Sequence, residues 1–537
     1  MVTTTAHGST QIRPRRLGAA IAGLIGVLGV ASALAVGDLI AAVVSPSSSP
    51  FLAVGEQFIR LTPEWLKQFA IATFGIYDKL ALLIGMALVI TLLAAVAGLA
   101  SRQRPAPGLV VIAVMGVLGL ASILASPTFA LFDLMAPLAS SAVGLAVFAG
   151  LHHRAIAAAG REPAGQAVAG ADPGTAATSA EDTGLDRRRL LWATGGVIAG
   201  AGAAGLLGRL FSSTAEASRA AVGSLPSPAQ PRTAPPPQAD FVSAGTPPWL
   251  TPNADFYRID TALQVPQLST GDYELRIHGM VDREQRLSYD DLRSRRLIEA
   301  PITMTCVSNA VGGSLMSNAM FLGVPLADLL AEAGVRPGAT QIASTSVDGF
   351  TTGTPVDVVT DGRDAMLAIG QNGRPLPVEH GFPVRMVVPG LYGFVSGCKW
   401  ITDIELTTFE AFTPYWEQRG WAQRAPIKTQ SRIDAPRTDT TVPAGRVTVA
   451  GTAWAQHTGI AAVDVSADGG AWQRAELADG VSIDTWRMWK TTFELPPGRH
   501  RLQVRATDRS GYTQTPKPSL TIPDGATGWH TITVTTA

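Results

Sequence analysis

Five uninterrupted apolar stretches, at about 17–44, 80–100, 109–126, 134–151 and 190–207, occupy the first 210 residues. Each is long enough to cross about 30 Å of hydrocarbon as a helix. Inside a bilayer the backbone must satisfy its own hydrogen bonds, so stretches of this kind fold as helices or not at all. Four of the five contain no ionisable residue, and the first carries Asp38. A signal peptide has an apolar region of roughly 7 to 15 residues and is not followed by further spans, so the first stretch reads as a retained membrane helix. The composition agrees: charged residues are 16% of the chain, apolar residues 46%, and the mean hydropathy is +0.21. Lys plus Arg (42) equals Asp plus Glu (42), which leaves no excess charge for a polyphosphate and makes nucleic acid a poor partner.

Basic residues resist translocation, so their distribution orients the spans. With the amino end cytoplasmic, the inside segments hold ten arginines (Arg13, Arg15, Arg16, Arg102, Arg104, Arg154, Arg161, Arg187, Arg188 and Arg189), while the outside loops hold only Arg60, Lys67 and Lys79. Five crossings then place everything after about residue 210 on the outer face of a cell membrane. The segment DRRRLL at 186–191 resembles a twin-arginine export signal, with Arg187 and Arg188 as the pair. An ordinary positive-inside anchor accounts for it equally well.

The chain accordingly reads as a membrane domain over 1–211, a linker over 212–248 and two globular domains over 249–436 and 437–537. The linker is rich in Pro, Ala and Ser (SLPSPAQPRTAPPPQAD), too poor in apolar surface to fold, and is expected as a semi-extended tether. The third segment mixes strand-like runs such as YELRIHG and PVRMVVPG with one helical pattern, VPLADLLAEAG, closed by Gly334, which argues for an α+β domain. The last is all strand, with runs such as RVTVAGTAWA and HRLQVRATDRSG between Gly, Pro and Asp turns, and reads as an immunoglobulin-like β-sandwich.

No nucleophile elbow, phosphate-binding loop, HExxH helix or dinucleotide fingerprint occurs in the outer portion. Two cysteines, Cys306 and Cys398, remain. In an exported protein two thiols can form one structural disulfide. Alternatively one is a thiolate ligand for a soft or high-valent metal. Cys306 follows the run PITMT and precedes VSNAVGG, a Gly-rich loop that lets a cofactor approach the backbone, whereas Cys398 lies in an apolar run where a buried inert thiol is common.

Residues about 250–425 resemble the molybdopterin-binding domain of the sulfite oxidase family, and about 437–525 resemble the immunoglobulin-like domain that follows it, called the dimerisation domain in the oxidases. Five segments carry the likeness in order: NADFYRIDTALQVP (253–266), TCVSN (305–309), LGVPLADLL (322–330), HGFPVRMVVPGLYGFVSGCKW (380–400) and LPPGRHRLQVRATDRSG (495–511). The resemblance implies molybdenum with molybdopterin as cofactor, the metal bound by Cys306. It implies further that Asn253, Phe256, Tyr257, His380, Arg385, Ser396 and Lys399 hold the pterin and its phosphate. Ser346 falls where the family's reductase branch has a cofactor-binding threonine. Tyr257, Arg258 and Arg419 are candidates beside the substrate. A homodimer through the last domain is the further expectation.

The departures bear on substrate. The oxidases build a cationic cup from an RNH sequence and an arginine after the cysteine loop; here the stretches read Arg258, Ile259, Asp260 and Asn309, Ala310, Val311. Phe350 stands where the oxidases place a tyrosine, and Arg419 in YWEQRGW resembles their WQRR segment. The implied activity is transfer of an oxygen atom or two electrons to or from a small sulfur or nitrogen oxo compound. The alternatives are reduction of S-oxides, as in periplasmic methionine sulfoxide reductases, and a non-catalytic membrane-tethered binding module. The electron partner is a quinone, a haem protein or a cytochrome. His152 and His153, adjacent on one helix end, are too few to bind a b-type haem between spans.

Overall fold

A computed structural model describes residues 16–159 except 46–47, 64–65, 67–68, 71–72, 75–77 and 127–128, and residues 214–537 except 230, 232–234 and 264. The chain divides into two compact units, Met1–Ser213 with Ala262–Gln264, and Thr214–Thr261 with Val265–Ala537.

In the first unit the apolar stretches form the helices Ala19–Val44, Asp78–Ala100, Ala106–Leu124 and Met135–Ala159. Among the described residues four helical segments are, by length and composition, able to cross a membrane. The fifth expected span, 190–207, and the DRRRLL segment lie outside the described residues. Small residues let two of the helices meet backbone to backbone. A Cβ on Gly26 would lie 2.0 Å from the Ala94 carbonyl oxygen, and one on Gly98 would lie 2.1 Å from that of Ala22. The apolar count misses a further helix, Pro50–Leu61, which starts with Pro at its first turn and with the Ser49 hydroxyl accepting the Leu52 N–H at 3.4 Å. Ser49 also donates to Asp38 at 2.5 Å, so the carboxylate in the first span has a hydroxyl partner. His152 is buried and bonded to the Ser101 carbonyl at 2.7 Å, a structural role.

The second unit carries the mixed domain on two sheets. The first has the strand order Gln285–Ser288, Glu274–Gly279, Ile401–Thr407, Gln341–Ser346, Thr351–Pro355; only the pairing of Glu274–Gly279 with Ile401–Thr407 is parallel. The second pairs Ile298–Thr305, Met316–Pro325 and Met366–Gln371 antiparallel, with Arg374–Pro375 and Arg385–Val387 both on the last. The helical pattern appears as Leu326–Ala333, ended by Gly334 at φ +71°, and buries Leu326, Leu329, Leu330 and Ala333. A large apolar core runs from Leu275 and Ile277 through Leu367 and Ile369 to Ile404 and Leu406.

The Pro-rich segment is not a free tether over its described residues. Its start forms a helix, Thr214–Val222, that buries Ala215 and Val222 in the same core as Trp249. Farther on, Ala229 N–H donates to the Leu297 carbonyl at 2.9 Å. Its few apolar residues suffice because the neighbouring domain supplies the other wall.

The C-terminal strands form two sheets. One orders Gln430–Ala435, Gly445–Trp454, Arg487–Leu495, Glu476–Leu477; the other orders Thr440–Val442, His530–Thr536, Gly498–Asp508, Ile460–Ala467, Gln473–Arg474. Both contribute to one core, with Val449 and Trp489 from the first and Val463, Leu502, Val504 and Val534 from the second. Alternation along Gly498–Asp508, in which His500, Leu502, Val504, Ala506 and Asp508 are buried, shows how a single face meets that core.

Candidate active site

Cys306 is placed by a hairpin. Ile298–Thr305 pairs with Met316–Pro325 up to Thr305 opposite Met316, and the ten residues between form the loop that begins at Cys306. The loop ties itself closed: Cys306 N–H donates to the Leu315 carbonyl at 3.0 Å, and the Asn309 side chain accepts the Leu315 N–H at 2.9 Å. Burial pushes the Cys306 thiol above its ordinary range, while hydrogen bonds from the main chain and hydroxyl of Ser308 pull the other way by favouring the thiolate.

The thiol opens into a cleft of about 870 Å³, measured out to its mouth, whose lining includes Phe256, Tyr257, Ser346, His380, Arg385 and Lys399. Six residues expected from the sequence thus converge with Cys306, although they come from a loop, two strand ends and the segment 380–399. Phe256 and Tyr257 stack at 5.6 Å between ring centroids, and Phe256 meets the His380 ring edge-on at 5.2 Å. The Tyr257 phenol is held well above its usual range by burial, so it is neutral. Burial, helped by Arg385 and Lys399, lowers His380 to about 3, leaving a neutral imidazole whose ring bonds the Asn253 main chain. Arg385 donates to the His380 carbonyl at 3.1 Å, and burial pulls its guanidinium down to about 10. Lys399, pulled to about 8 by burial against the opposing pull of Asp260, stays cationic at neutral pH.

Four expected residues are placed otherwise. Among the lining residues Asn253, Arg258, Ser396 and Arg419 are missing. The Asn253 side chain instead bonds Asn372 at 2.8 Å and Gln371 at 3.2 Å, so it secures the loop that presents Phe256. Ser396, the last residue of the short helix Gly393–Ser396, donates to the carbonyls of Leu391 and Tyr392 just ahead of it. Arg258 pairs with Asp260 at 2.8 Å, and Arg419 lies 3.6 Å over the Tyr415 ring while donating to the Tyr415 carbonyl at 2.7 Å. Conversely, sequence reasoning missed the aromatic wall formed by Phe394, Trp400, Trp416 and Trp421, and it took Asp260 only as a departure. The WEQRGW spacing was its one signal: it brings two indoles to 6.1 Å.

Do these residues fit the cofactor expected from the sequence? Among the described residues three buried donors on residues lining this cleft, Arg385 Nε, Ser346 Oγ and Trp421 Nε1, have no hydrogen-bond partner. A buried donor left unpaired costs about 1 to 3 kcal/mol, so each calls for an acceptor. A phosphorylated pterin supplies several, and Arg385 with Lys399 supplies charge for the phosphate. Among the described residues no group of three or more His, Cys, Asp or Glu is able to hold a metal ion. Both cysteines are free, which excludes a bond between them here.

The family profile described as the oxidoreductase molybdopterin binding domain matches residues 262–416. Human (Homo sapiens) mitochondrial sulfite oxidase is 31% identical over 318 residues, a match that covers 50% of this chain and 57% of that protein. The chain therefore spans little more than half the length of that relative. The uncharacterised oxidoreductase YuiH of Bacillus subtilis is 33% identical over 168 residues, covering 30% of this chain and 81% of YuiH. The crystal structure of the sulfane dehydrogenase SoxCD from Paracoccus pantotrophus aligns at a TM-score of 0.46 and 24% identity, over 52% of this chain and 79% of that one. A domain of this kind implies molybdenum held by molybdopterin as its cofactor. From a cysteine loop and cleft that suit that cofactor, and from similarity over most of YuiH, we conclude that the chain belongs to the sulfite oxidase family of molybdopterin-dependent oxidoreductases.

Proposed function

We propose that the protein is a membrane-anchored oxidoreductase, with its catalytic domain on the outer face, that acts on a small neutral S-oxide or N-oxide in preference to sulfite. The observation behind the preference is the charge balance of the cleft. Its lining cations are Arg385 and Lys399, and Lys399 is paired with Asp260 at 2.7 Å. The rest of the wall carries a second carboxylate, Asp348, and several aromatic rings, including Phe350, Phe394, Trp416 and Trp421. Sulfite is a dianion above about pH 7, and holding it away from water needs cations that are not already engaged. An S-oxide is neutral, and its apolar substituents suit aromatic walls.

When bound, the molybdenum cofactor supplies the two-electron chemistry. Cys306 provides the protein thiolate; Arg385 and Lys399 hold the cofactor's anionic end; neutral His380 and Ser346 meet its polar edge; and the aromatic wall excludes water and orients the substrate. Reduction of an S-oxide breaks the sulfur–oxygen bond, consumes two protons and two electrons and releases the thioether and water. The electrons come from a donor of the quinol, haem-protein or cytochrome class. The four apolar helices serve as anchor, and a homodimer through the C-terminal two-sheet region, read as immunoglobulin-like, completes the proposal.

Steady-state assays on the purified full-length enzyme test this reading, with artificial donors for S-oxides and artificial acceptors for sulfite. S-oxide reduction should give the higher kcat/KM. Efficient sulfite oxidation without S-oxide reduction contradicts it.

A further inference from the structure

Asp260 lines the cleft, yet the chemistry above assigns it no contact with cofactor or substrate. Its side chain is only 4% exposed, and one oxygen, Oδ2, accepts from both Lys399 Nζ at 2.7 Å and Arg258 Nε at 2.8 Å. Lys399 is held from two further sides, by the Glu379 carbonyl at 3.3 Å and by the Trp400 ring at 4.5 Å. The carboxylate therefore sits between two cations and cancels one of their charges. Removing one member of a buried charge group strands the others, so the arrangement fixes where positive charge is available in the cleft.

We infer that Asp260 is a specificity determinant: by cancelling one of the two positive charges of Lys399 and Arg258 it weakens the hold of the cleft on dianions such as sulfite. The inference deepens the proposed preference for neutral oxo compounds and rests on that reading for its biological sense. Its physical content, repulsion of dianions by one carboxylate, is testable separately.

Sulfate serves as an inert dianionic probe of the metal-loaded full-length enzyme. Asp260→Asn should tighten inhibition by sulfate about tenfold, the order expected for one added charge-assisted contact. It should also raise the ratio of kcat/KM for sulfite over that for a neutral S-oxide by a similar factor. Asp260→Glu keeps the charge and should leave sulfate inhibition as weak as in the parent. Unchanged sulfate inhibition in Asp260→Asn, at molybdenum content equal to the parent's, overturns the inference. Loss of molybdenum from Asp260→Asn would mark the carboxylate as one that positions Lys399 for the cofactor, and also overturns the inference. A parent inactive on S-oxides whose Asn variant still binds sulfate more tightly contradicts the proposed function and leaves this inference standing.

Discussion

Gln456 and Thr305 join the two halves of the larger unit: Gln456 Nε2 donates to Thr305 Oγ1 at 2.9 Å, and to the Thr303 carbonyl at 3.2 Å, at the end of the strand that leads into Cys306. Two more bonds reinforce this brace, from Trp486 N–H to Thr303 Oγ1 and from Arg432 to the Gly313 carbonyl, both at 2.8 Å. Residues of the C-terminal sheets and their loops thus hold both ends of the cysteine loop. Gln456→Ala should leave buried Thr303 and Thr305 acceptors without their donor and destabilise the protein by about 1 to 3 kcal/mol. Urea unfolding measures this, and molybdenum per protein should fall with it. Parental stability in the variant shows that the brace carries no energy.

Arg385→Gln removes a buried guanidinium from the cleft and leaves a shorter, neutral polar side chain. The chain should fold, with near-ultraviolet circular dichroism like the parent's, and retain at least about tenfold less molybdenum, the loss expected for one charged contact to an anionic group. A variant with full molybdenum content removes Arg385 from the cofactor site.

His380 links stability to pH. Burial lowers its folded-state value from the ordinary 6.5 to about 3, so between these limits the unfolded chain binds the proton and the folded chain does not. The contribution of the neutral imidazole is complete above about pH 6.5 and declines below it, by at most about 1.4 kcal/mol per pH unit. In cofactor-free protein, unfolding at pH 7 and pH 5 should show a larger acid loss for the parent than for His380→Gln. Equal losses contradict the assignment.

Much of this was legible in the sequence because it is local. The apolar lengths announced the helices and the Gly334 stop ended Leu326–Ala333, while the resemblance of the TCVSN and HGFPVR segments to the sulfite oxidase family implied that Cys306, His380 and Arg385 share one site. What failed depends on tertiary pairing. Nothing in FYRID shows that Asp260 joins Lys399, 139 positions away, or that Arg258 follows it there rather than facing the cleft. Ser396 sits inside a matching segment, but a four-residue helix turns its hydroxyl onto Leu391 and Tyr392. The Pro-rich segment looked unable to fold because composition alone does not reveal that a partner surface takes up its few apolar residues.

The two thiols should behave differently. Cys398 is fully buried and its thiol is pushed well up by burial, whereas Cys306 is partly exposed. In cofactor-free folded protein an alkylating reagent should label Cys306 and spare Cys398, as peptide mass spectrometry would show. Recovery of a linked Cys306–Cys398 peptide from active protein contradicts this.

Cys306 is proposed as the protein's ligand to molybdenum. Molybdenum-edge X-ray absorption of the full-length enzyme and of Cys306→Ser tests it most directly. One sulfur neighbour fewer at the metal is expected in the variant, together with loss of turnover and retention of the fold. An unchanged sulfur count with parental activity would contradict it.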